Sequence, residues 1–418
     1  MNQFTTGNIV VLFLSIAFML GLGKFFGEIF RYFKLPSVIG EILAGILIGP
    51  SFMGKFFPAF YDWIFPRSGL PAVALDAFIL LGIVLFLLIA GLEVDLNSLM
   101  EQGRSVIWAS LFNIVIPFSV GMIFPLVAPG FFNAADNRAV LPLFIGVALS
   151  ITALPVIAKI LMDMKLIRTR FGMLVIVSAM INDVFGWIFF SIIVQLSLTG
   201  IVSIVSIAKI TGITIAVALF ILFGVRLYVN CVLPWIQKNT EWPGGVIVFV
   251  IVIGLLCSAL TEVIGIHAIF GAFCAGIAVG TSRHLSGHTR EIIHHFISNI
   301  FAPLFFVSIG LRVDFIQKFN PGLVIVLILL AFAVKIAGSL VGGKISGLTL
   351  RESLPVGFAM SARGAMEIII GMLALQYRMI SDETFVAFVI MAIVTSLLCA
   401  PLIKIFLKPE PEEQKALS

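Results

Sequence analysis

Charge is scarce in this chain. Acidic and basic side chains together make up 11% of its 418 residues, against 61% hydrophobic ones, and the mean hydropathy is +1.18. A soluble domain is roughly a quarter charged and about half apolar, so a water-soluble globule is excluded. Cysteine is scarce too. The four cysteines, Cys231, Cys257, Cys274 and Cys399, lie in or beside apolar segments without metal-type spacing. They read as reduced packing residues, which excludes a disulfide framework or a zinc module. No basic side chain precedes the first apolar run in MNQFTTGN, so the start lacks the basic region of a signal peptide and reads as a retained helix. Alternating ten-residue strands are missing as well, which excludes a transmembrane barrel. The net charge of +5 fits basic cytoplasmic loops better than a nucleic-acid surface.

What the chain has instead is continuous apolar runs of about 20 residues, the length a helix needs to cross a bilayer. Thirteen are expected, at roughly 9–30, 35–54, 73–93, 104–128, 139–162, 171–198, 201–229, 243–262, 264–281, 296–312, 321–343, 353–376 and 382–407. The reading is an all-α membrane protein, a single transmembrane unit over 1–418, with short loops and no soluble regulatory domain. Thirty-seven glycines and 18 prolines suit membrane helices that pack closely and tolerate breaks. With the N-terminus outside, 16 of the 26 basic residues fall on the cytoplasmic side, 6 outside and 4 within spans. The positive-inside rule then sets N outside and C inside.

One carboxylate is out of place. Between Phe171 and Leu198 the only ionisable side chain is Asp183, preceded by Asn182. A charge at mid-bilayer costs about 2.5–3.5 kcal/mol on insertion scales and is retained where it faces a cavity and handles an ion or proton. A single buried negative charge can hold a metal cation or a proton in turn. Alternate exposure to each side then suffices for exchange.

Three segment pairs match across the halves. AGILIGPS (Ala44–Ser51) pairs with AGIAVGTS (Ala275–Ser282), LFLLIAGLEVDL (Leu85–Leu96) with LFFVSIGLRVDF (Leu304–Phe315), and GVALSITA (Gly146–Ala153) with GFAMSARG (Gly357–Gly364). They join spans 2 and 9, 3 and 10, 5 and 12, always seven apart. An odd offset reverses direction, so inverted-topology repeats are expected, with binding near the midplane on interrupted helices. Span 5 carries Ser150, Thr152 and Pro155, and span 12 carries Ser361, Arg363 and Gly364. These residue types tolerate or force non-helical backbone.

The segments LPSVIGEILAGILIGPS (35–51), LFLLIAGLEVDL (85–96), SITALPVIAKIL (150–161), INDVFGW (181–187), FGAFCAGI (270–277), FAPLFFVSIGLRVD (301–314) and SARGAMEIII (361–370) together resemble the monovalent cation:proton antiporter-2 family. That family includes Kef-type potassium transporters, bacterial sodium/proton antiporters and plant cation/proton exchangers. The resemblance implies the sodium/proton antiporter fold with two crossed broken helices, here spans 5 and 12. It implies an ion site at Asp183 with Asn182, Thr152 and Ser150, taking Na+ or K+ at Asp183. Lys335, in AFAVKIAGS, falls where members carry a basic partner for the aspartate. A core (approximately 73–198 and 296–407) is expected to move past a dimerisation scaffold (9–54 and 201–281) in an elevator cycle, in a homodimer. Two departures stand out. Electrogenic relatives carry two adjacent aspartates where this chain has Asn182–Asp183, and some place an acid after the threonine where it has Ala153. Both remove a carboxylate and so bear on stoichiometry and the helix-dipole balance; one acidic carrier beside a permanently charged Lys335 predicts electroneutral 1:1 exchange, whereas a Lys335 that released its proton on cation binding would make exchange electrogenic.

Lys335 either partners Asp183 or neutralises the carbonyl end of a broken half-helix. Arg363 and Glu367 are four apart and are expected to form an internal ion pair fixing the helix crossing. Glu41, Glu93, Asp95 and Glu262 read as span-end residues. The cytoplasmic stretch 283–295, RHLSGHTREIIHH, reads as a solvated loop, with a pH-sensing cluster as the sharper alternative. His267 reads as a packing residue.

The expected function is secondary antiport of a monovalent cation, Na+ or K+, against H+, with no cofactor and no nucleic-acid partner, in a bacterial inner or plasma membrane. The alternatives are a Kef-type potassium efflux channel or transporter and a non-transporting membrane sensor. An intramembrane enzyme is disfavoured, because the spans hold no metal motif and no serine–lysine nucleophile pair.

Overall fold

A computed structural model of the chain describes residues 5–33, 36–94, 104–133, 137–164, 166, 169–199 and 204–407. Lys34, Asp95, Lys165, Arg168, Lys408 and Lys415, which entered the expected helix-end and orientation assignments, lie outside the described residues. Among the described residues every regular element is helical: α1 (Thr6–Tyr32), α2 (Ser37–Ile48), α3 (Met53–Phe56), α4 (Pro58–Ile64), α5 (Leu70–Leu92), α6 (Arg104–Val127), α7 (Leu141–Ser150), α8 (Leu154–Asp163), α9 (Arg170–Thr199), α10 (Ile204–Leu219), α11 (Arg226–Asn239), α12 (Gly244–Ile264), α13 (Ala268–Gly280), α14 (Gly287–Arg312), α15 (Pro321–Ile345), α16 (Leu350–Met360), α17 (Ala365–Gln376) and α18 (Asp382–Phe406). A π-helical turn, Phe220–Val225, joins α10 to α11.

Among the described residues, ten helical stretches are long and apolar enough to cross a membrane. The expected spans 5 and 12 are interrupted, as α7/α8 and α16/α17, and span 9 contains the short helix α13. Local chemistry sets these ends. Gly265 takes a left-handed conformation (φ 90°) that closes α12, where a residue without Cβ meets no steric penalty. His267 then caps α13 by accepting the Ile269 amide on Nδ1 at 3.3 Å, so it is a helix cap as well as a packing residue. The start of α16 is a capping box: the Thr349 hydroxyl accepts the Glu352 amide, and Glu352 accepts the Thr349 amide at 2.7 Å.

The chain divides into two compact units, Met1–Val94 with Ile215–Phe319, and Asp95–Thr214 with Asn320–Ser418. This division places residues 73–93 and 296–312 with α1 and α2, whereas the expected core included them. The reason is packing through glycine. In the first unit Gly45 of α2 lies against the Val307 and Gly310 backbone of α14, and Gly276 of α13 lies against the Leu88 and Gly91 backbone of α5. These four glycines occupy matched positions in the sequence pairs, so the two contacts are reciprocal. A methyl group at Gly45 would overlap the Val307 carbonyl oxygen. Gly45→Ala is therefore expected to lower stability by about 1–3 kcal/mol, the usual range for overpacking, read as an earlier thermal unfolding midpoint in detergent.

Glu41, expected at a span end, is instead buried inside α2, only 6% exposed. It lies where Gly27 of α1 leaves room for it.

In the second unit α6 packs on α7 and α15, and α15 packs on α16 and α18. Gly146 of α7 meets the Phe118 region of α6, while its sequence match Gly357 of α16 meets Ile336 of α15. An apolar core of Leu154, Ile157 and Leu161 on α8, Val175 and Met180 on α9, Phe358 and Met360 on α16, and Cys399 and Ile403 on α18 surrounds the two interruptions.

Candidate functional site

The second unit contains two helix breaks that meet. The backbone leaves helical geometry over Ile151–Ala153 and again after Met360, up to Gly364. The Ala153 amide donates to the Ala362 carbonyl at 2.9 Å, and the Thr152 hydroxyl donates to the Met360 carbonyl at 2.7 Å. Each break therefore satisfies part of the other. A helix end leaves its last carbonyls without intrahelical donors, and in a dry interior each must find one.

The carbonyl end of α7 is met by two cations. Arg363 Nη1 donates to the Ala148 carbonyl at 2.6 Å, and Nη2 to the Leu149 carbonyl at 3.1 Å. Lys335 Nζ, from α15, makes a short hydrogen bond to the Ser150 carbonyl and donates to Thr152 Oγ1 at 3.0 Å. Both side chains are buried, Lys335 at 0% and Arg363 at 1% exposure. A negative helix end is where positive charge is stabilised. The carbonyl end of α16 is met differently, by the Thr152 hydroxyl and by the Cys399 thiol, which donates to the Phe358 carbonyl at 3.1 Å.

A third acceptor for Lys335 comes from a residue the sequence reading did not single out. Lys335 Nζ donates to the Asn113 carbonyl of α6 at 3.2 Å. In an α-helix that carbonyl would accept the amide of residue 117, and residue 117 is a proline inside α6. Proline has no N–H, so Pro117 frees the oxygen that Lys335 uses. The neighbouring Ile114 carbonyl accepts the Ser150 hydroxyl at 3.1 Å. Asn113 also fixes α6 against α15, its Nδ2 donating to Ser339 Oγ at 3.0 Å. A proline within an apolar span was the available signal. The i−4 rule names the carbonyl it liberates but not the lysine that takes it.

The uninterrupted helix α9 contributes Asn182 and Asp183, 1% and 2% exposed. Asn182 Nδ2 donates to the Ser150 carbonyl at 3.3 Å and to Thr152 Oγ1 at 3.4 Å. Its Oδ1 is buried without a hydrogen-bond partner among the described residues. Ser150, Thr152, Asn182 and Lys335 thus form one connected polar cluster, with Asp183 the next residue on α9. Asp183 and Glu367 act on Lys335 as negative charges and Arg363 as a positive one. Arg363 also pairs with Glu367 at 2.5 Å, both fully buried. The Arg363 backbone is anchored to α18, its amide donating to Ser396 Oγ at 3.2 Å while its carbonyl accepts the Ser396 hydroxyl in a short bond.

Other singled-out residues fall elsewhere. Glu93 faces His294 at 3.6 Å, His295 faces Glu291 at 3.8 Å, and His288 stacks on Trp242 at 5.4 Å. Glu262 accepts the Ala268 amide at 2.8 Å. None of these joins the polar cluster. Among the described residues no group of three metal-ligating side chains occurs.

Fold and site together define a polytopic helical membrane protein with a buried, charged centre built on interrupted helices. The chain belongs to the sodium/hydrogen exchanger family, whose transmembrane-region profile matches residues 14–408. It is 31% identical over 410 residues to the Na(+)/H(+) antiporter NhaS4 of Synechocystis, covering 97% of this chain and 99% of that protein. It is 30% identical to cation/H(+) antiporter 18 of Arabidopsis thaliana, covering 96% of this chain and 50% of the relative, and 31% identical to K(+)/H(+) antiporter 1 of Saccharomyces cerevisiae, covering 89% and 44%. The chain thus spans about half the length of several relatives it matches. The solved structure of the sodium proton antiporter MjNhaP1 from Methanocaldococcus jannaschii superposes with a TM-score of 0.64 at 17% identity, covering 94% of this chain and 96% of that one. At that identity the likeness concerns the fold.

Proposed function

We propose that the chain exchanges a monovalent alkali cation, Na+ or K+, for H+ across a membrane, with Asp183 as the group both occupy in turn. The observation that carries this reading is the burial on α9 of Asn182, whose Oδ1 has no hydrogen-bond partner among the described residues while its Nδ2 reaches the break at Ser150 and Thr152, next in sequence to the buried carboxylate Asp183. A buried acceptor left unsatisfied costs about 1–3 kcal/mol. An electropositive ligand shared with the neighbouring carboxylate would remove that penalty. The names of the relatives, antiporters for sodium, potassium or unspecified cations, agree with this reading.

The same proposal extends to architecture. The ten long helices, the two interrupted ones and α13 make thirteen crossings with the N-terminus outside, in a bacterial inner or plasma membrane. Inverted repeats account for the reciprocal glycine contacts Gly45–Gly310 and Gly276–Gly91. The moving body is the second unit, which holds the whole polar cluster, and the first unit serves as the scaffold of a homodimer in an elevator-type cycle. This redraws the expected core, moving 73–93 and 296–312 to the scaffold.

Charge parity bears on stoichiometry. The buried centre sets the acids Asp183 and Glu367 against the bases Lys335 and Arg363. Adding one proton or one alkali cation brings it to the same charge, so inward and outward strokes cancel and exchange is electroneutral. Proteoliposomes with a trapped pH dye, challenged with lithium, sodium, potassium and rubidium, test the activity and rank the ions. A potential-sensitive dye tests the parity, and a cation-driven shift in potential defeats it.

Pro117→Ala supplies the missing N–H to the Asn113 carbonyl and withdraws it from Lys335. A hydrogen bond to a charged group contributes about 1.5–3 kcal/mol. Exchange is therefore expected to fall about tenfold or more, while the thermal midpoint stays level or rises, because the helix interior regains a bond. Parallel loss of folding would remove Pro117 from any functional role.

A further inference from the structure

The first unit carries an open groove of about 430 Å3, lined by Phe223, Arg226, Leu227, Asn230, Arg283 and His284. It lies where the π-helical turn Phe220–Val225 passes into α11, beside the residues that follow α13. No acidic side chain lines it. Neither guanidinium has a hydrogen bond or ion pair among the described residues, in contrast with Arg290 nearby, whose Nη2 donates to the Gly280 carbonyl at 2.7 Å. The rim is nonetheless held in place. Ser282 Oγ donates to Asn230 Oδ1 at 2.6 Å, and Gln237 Nε2 donates to the His284 carbonyl at 2.8 Å. With its oxygen so engaged, Asn230 has its amide N–H groups to offer as donors.

Depth in the membrane decides what can fill this groove. The apolar helix runs from Ala208 to Asn239. Arg226 comes eighteen residues after Ala208, about 27 Å at about 1.5 Å per residue, against a hydrocarbon core about 30 Å thick. Arg226 therefore lies where the helix leaves the acyl chains. Exposed aromatic side chains follow on its watery side, Tyr228 two residues on and Trp235 further along the helix, at 52% and 63% exposure, as expected of an interfacial belt. Just before it, Phe223 and Leu227 stand 63% and 68% exposed and supply an apolar wall. The groove thus offers two unpaired guanidiniums at headgroup level above a surface for hydrocarbon.

We propose that this groove binds an anionic phospholipid. The phosphate is held by Arg226 and Arg283, with Asn230 as a further donor, and one acyl chain lies along Phe223 and Leu227. Guanidinium matches phosphate geometry with two parallel donors and is weakly enough hydrated to sit at an interface. The π-helical turn fits this use, since such bulges widen a helix where function requires it.

The test uses the purified full chain in detergent, read by native mass spectrometry and by thermal unfolding, neither of which depends on transport. Given phosphatidylglycerol and phosphatidylcholine in equal amounts, the wild type is expected to retain phosphatidylglycerol about tenfold more, as two interfacial cations would confer, and to unfold later with it. R226Q/R283Q is expected to lose that preference, and R226K/R283K, which keeps the charge without the fork, to fall between. K344Q/R351Q, which removes two cations elsewhere, is expected to behave as wild type. Glycerol phosphate without acyl chains is expected not to compete. The proposal is overturned if R226Q/R283Q keeps the preference, if wild type holds phosphatidylcholine equally well, or if glycerol phosphate competes on a par with the lipid. It is overturned too if the double variant merely dissociates a lipid-free dimer, which would make the groove a contact between copies.

Discussion

Replacing Asp183 by asparagine is expected to abolish cation-driven proton counterflow in proteoliposomes, by about a hundredfold or more, equivalent to about 2.7 kcal/mol of lost barrier stabilisation. The two side chains have nearly the same shape, and Asp183 is already buried at 2% exposure, so the packing of α9 should persist. A neutral amide neither takes up a proton at working pH nor balances an alkali cation. The variant should fold and purify, with a thermal midpoint lowered by less than in the Arg363 variant, because asparagine keeps the shape of the side chain but leaves Lys335 without one of its two negative neighbours. Unimpaired counterflow in the purified variant would remove Asp183 from the centre of the mechanism.

The largest loss of stability is expected at Arg363. Its guanidinium holds two carbonyls at the end of α7 and the Glu367 carboxylate at 2.5 Å. Arg363→Gln leaves Glu367 as a buried charge without its partner, and removing one member of such a pair costs about 3–5 kcal/mol. Loss of monodisperse protein at ordinary temperature is the expected result. The double variant Arg363→Gln/Glu367→Gln should recover part of that loss, since it removes both charges. A double-mutant cycle in thermal unfolding measures the coupling. Additive losses would mean that the ion pair contributes little and that the carbonyl bonds alone hold the crossing.

Much of the fold was legible because a bilayer demands long apolar helices and the sequence repeats them. The interruptions were legible as well, since Ser150, Thr152, Arg363 and Gly364 have no place in an uninterrupted apolar helix. The grouping of helices was not. Repeat matching pairs segments by sequence, while packing follows the glycine seams at Gly45–Gly310 and Gly91–Gly276, which depend on backbone approach. Of the polar centre, the sequence named Lys335, Asn182 and Asp183 but not Asn113, because the group used there is a main-chain oxygen. The groove at Arg226 and Arg283 was hidden for another reason: its residues are far apart in sequence and meet only after α13 folds beside the π-helical turn.

Thr152 offers a last consequence. Its single hydroxyl hydrogen is committed to the Met360 carbonyl, so the oxygen faces Lys335 and Asn182 with its lone pairs, and both donors reach it, at 3.0 and 3.4 Å. An alkali ion arriving at that oxygen would have to evict an ammonium or an amide first. Under the proposed function the threonine would act as a latch: entry of cargo at this spot and release of Lys335 or Asn182 would be one event.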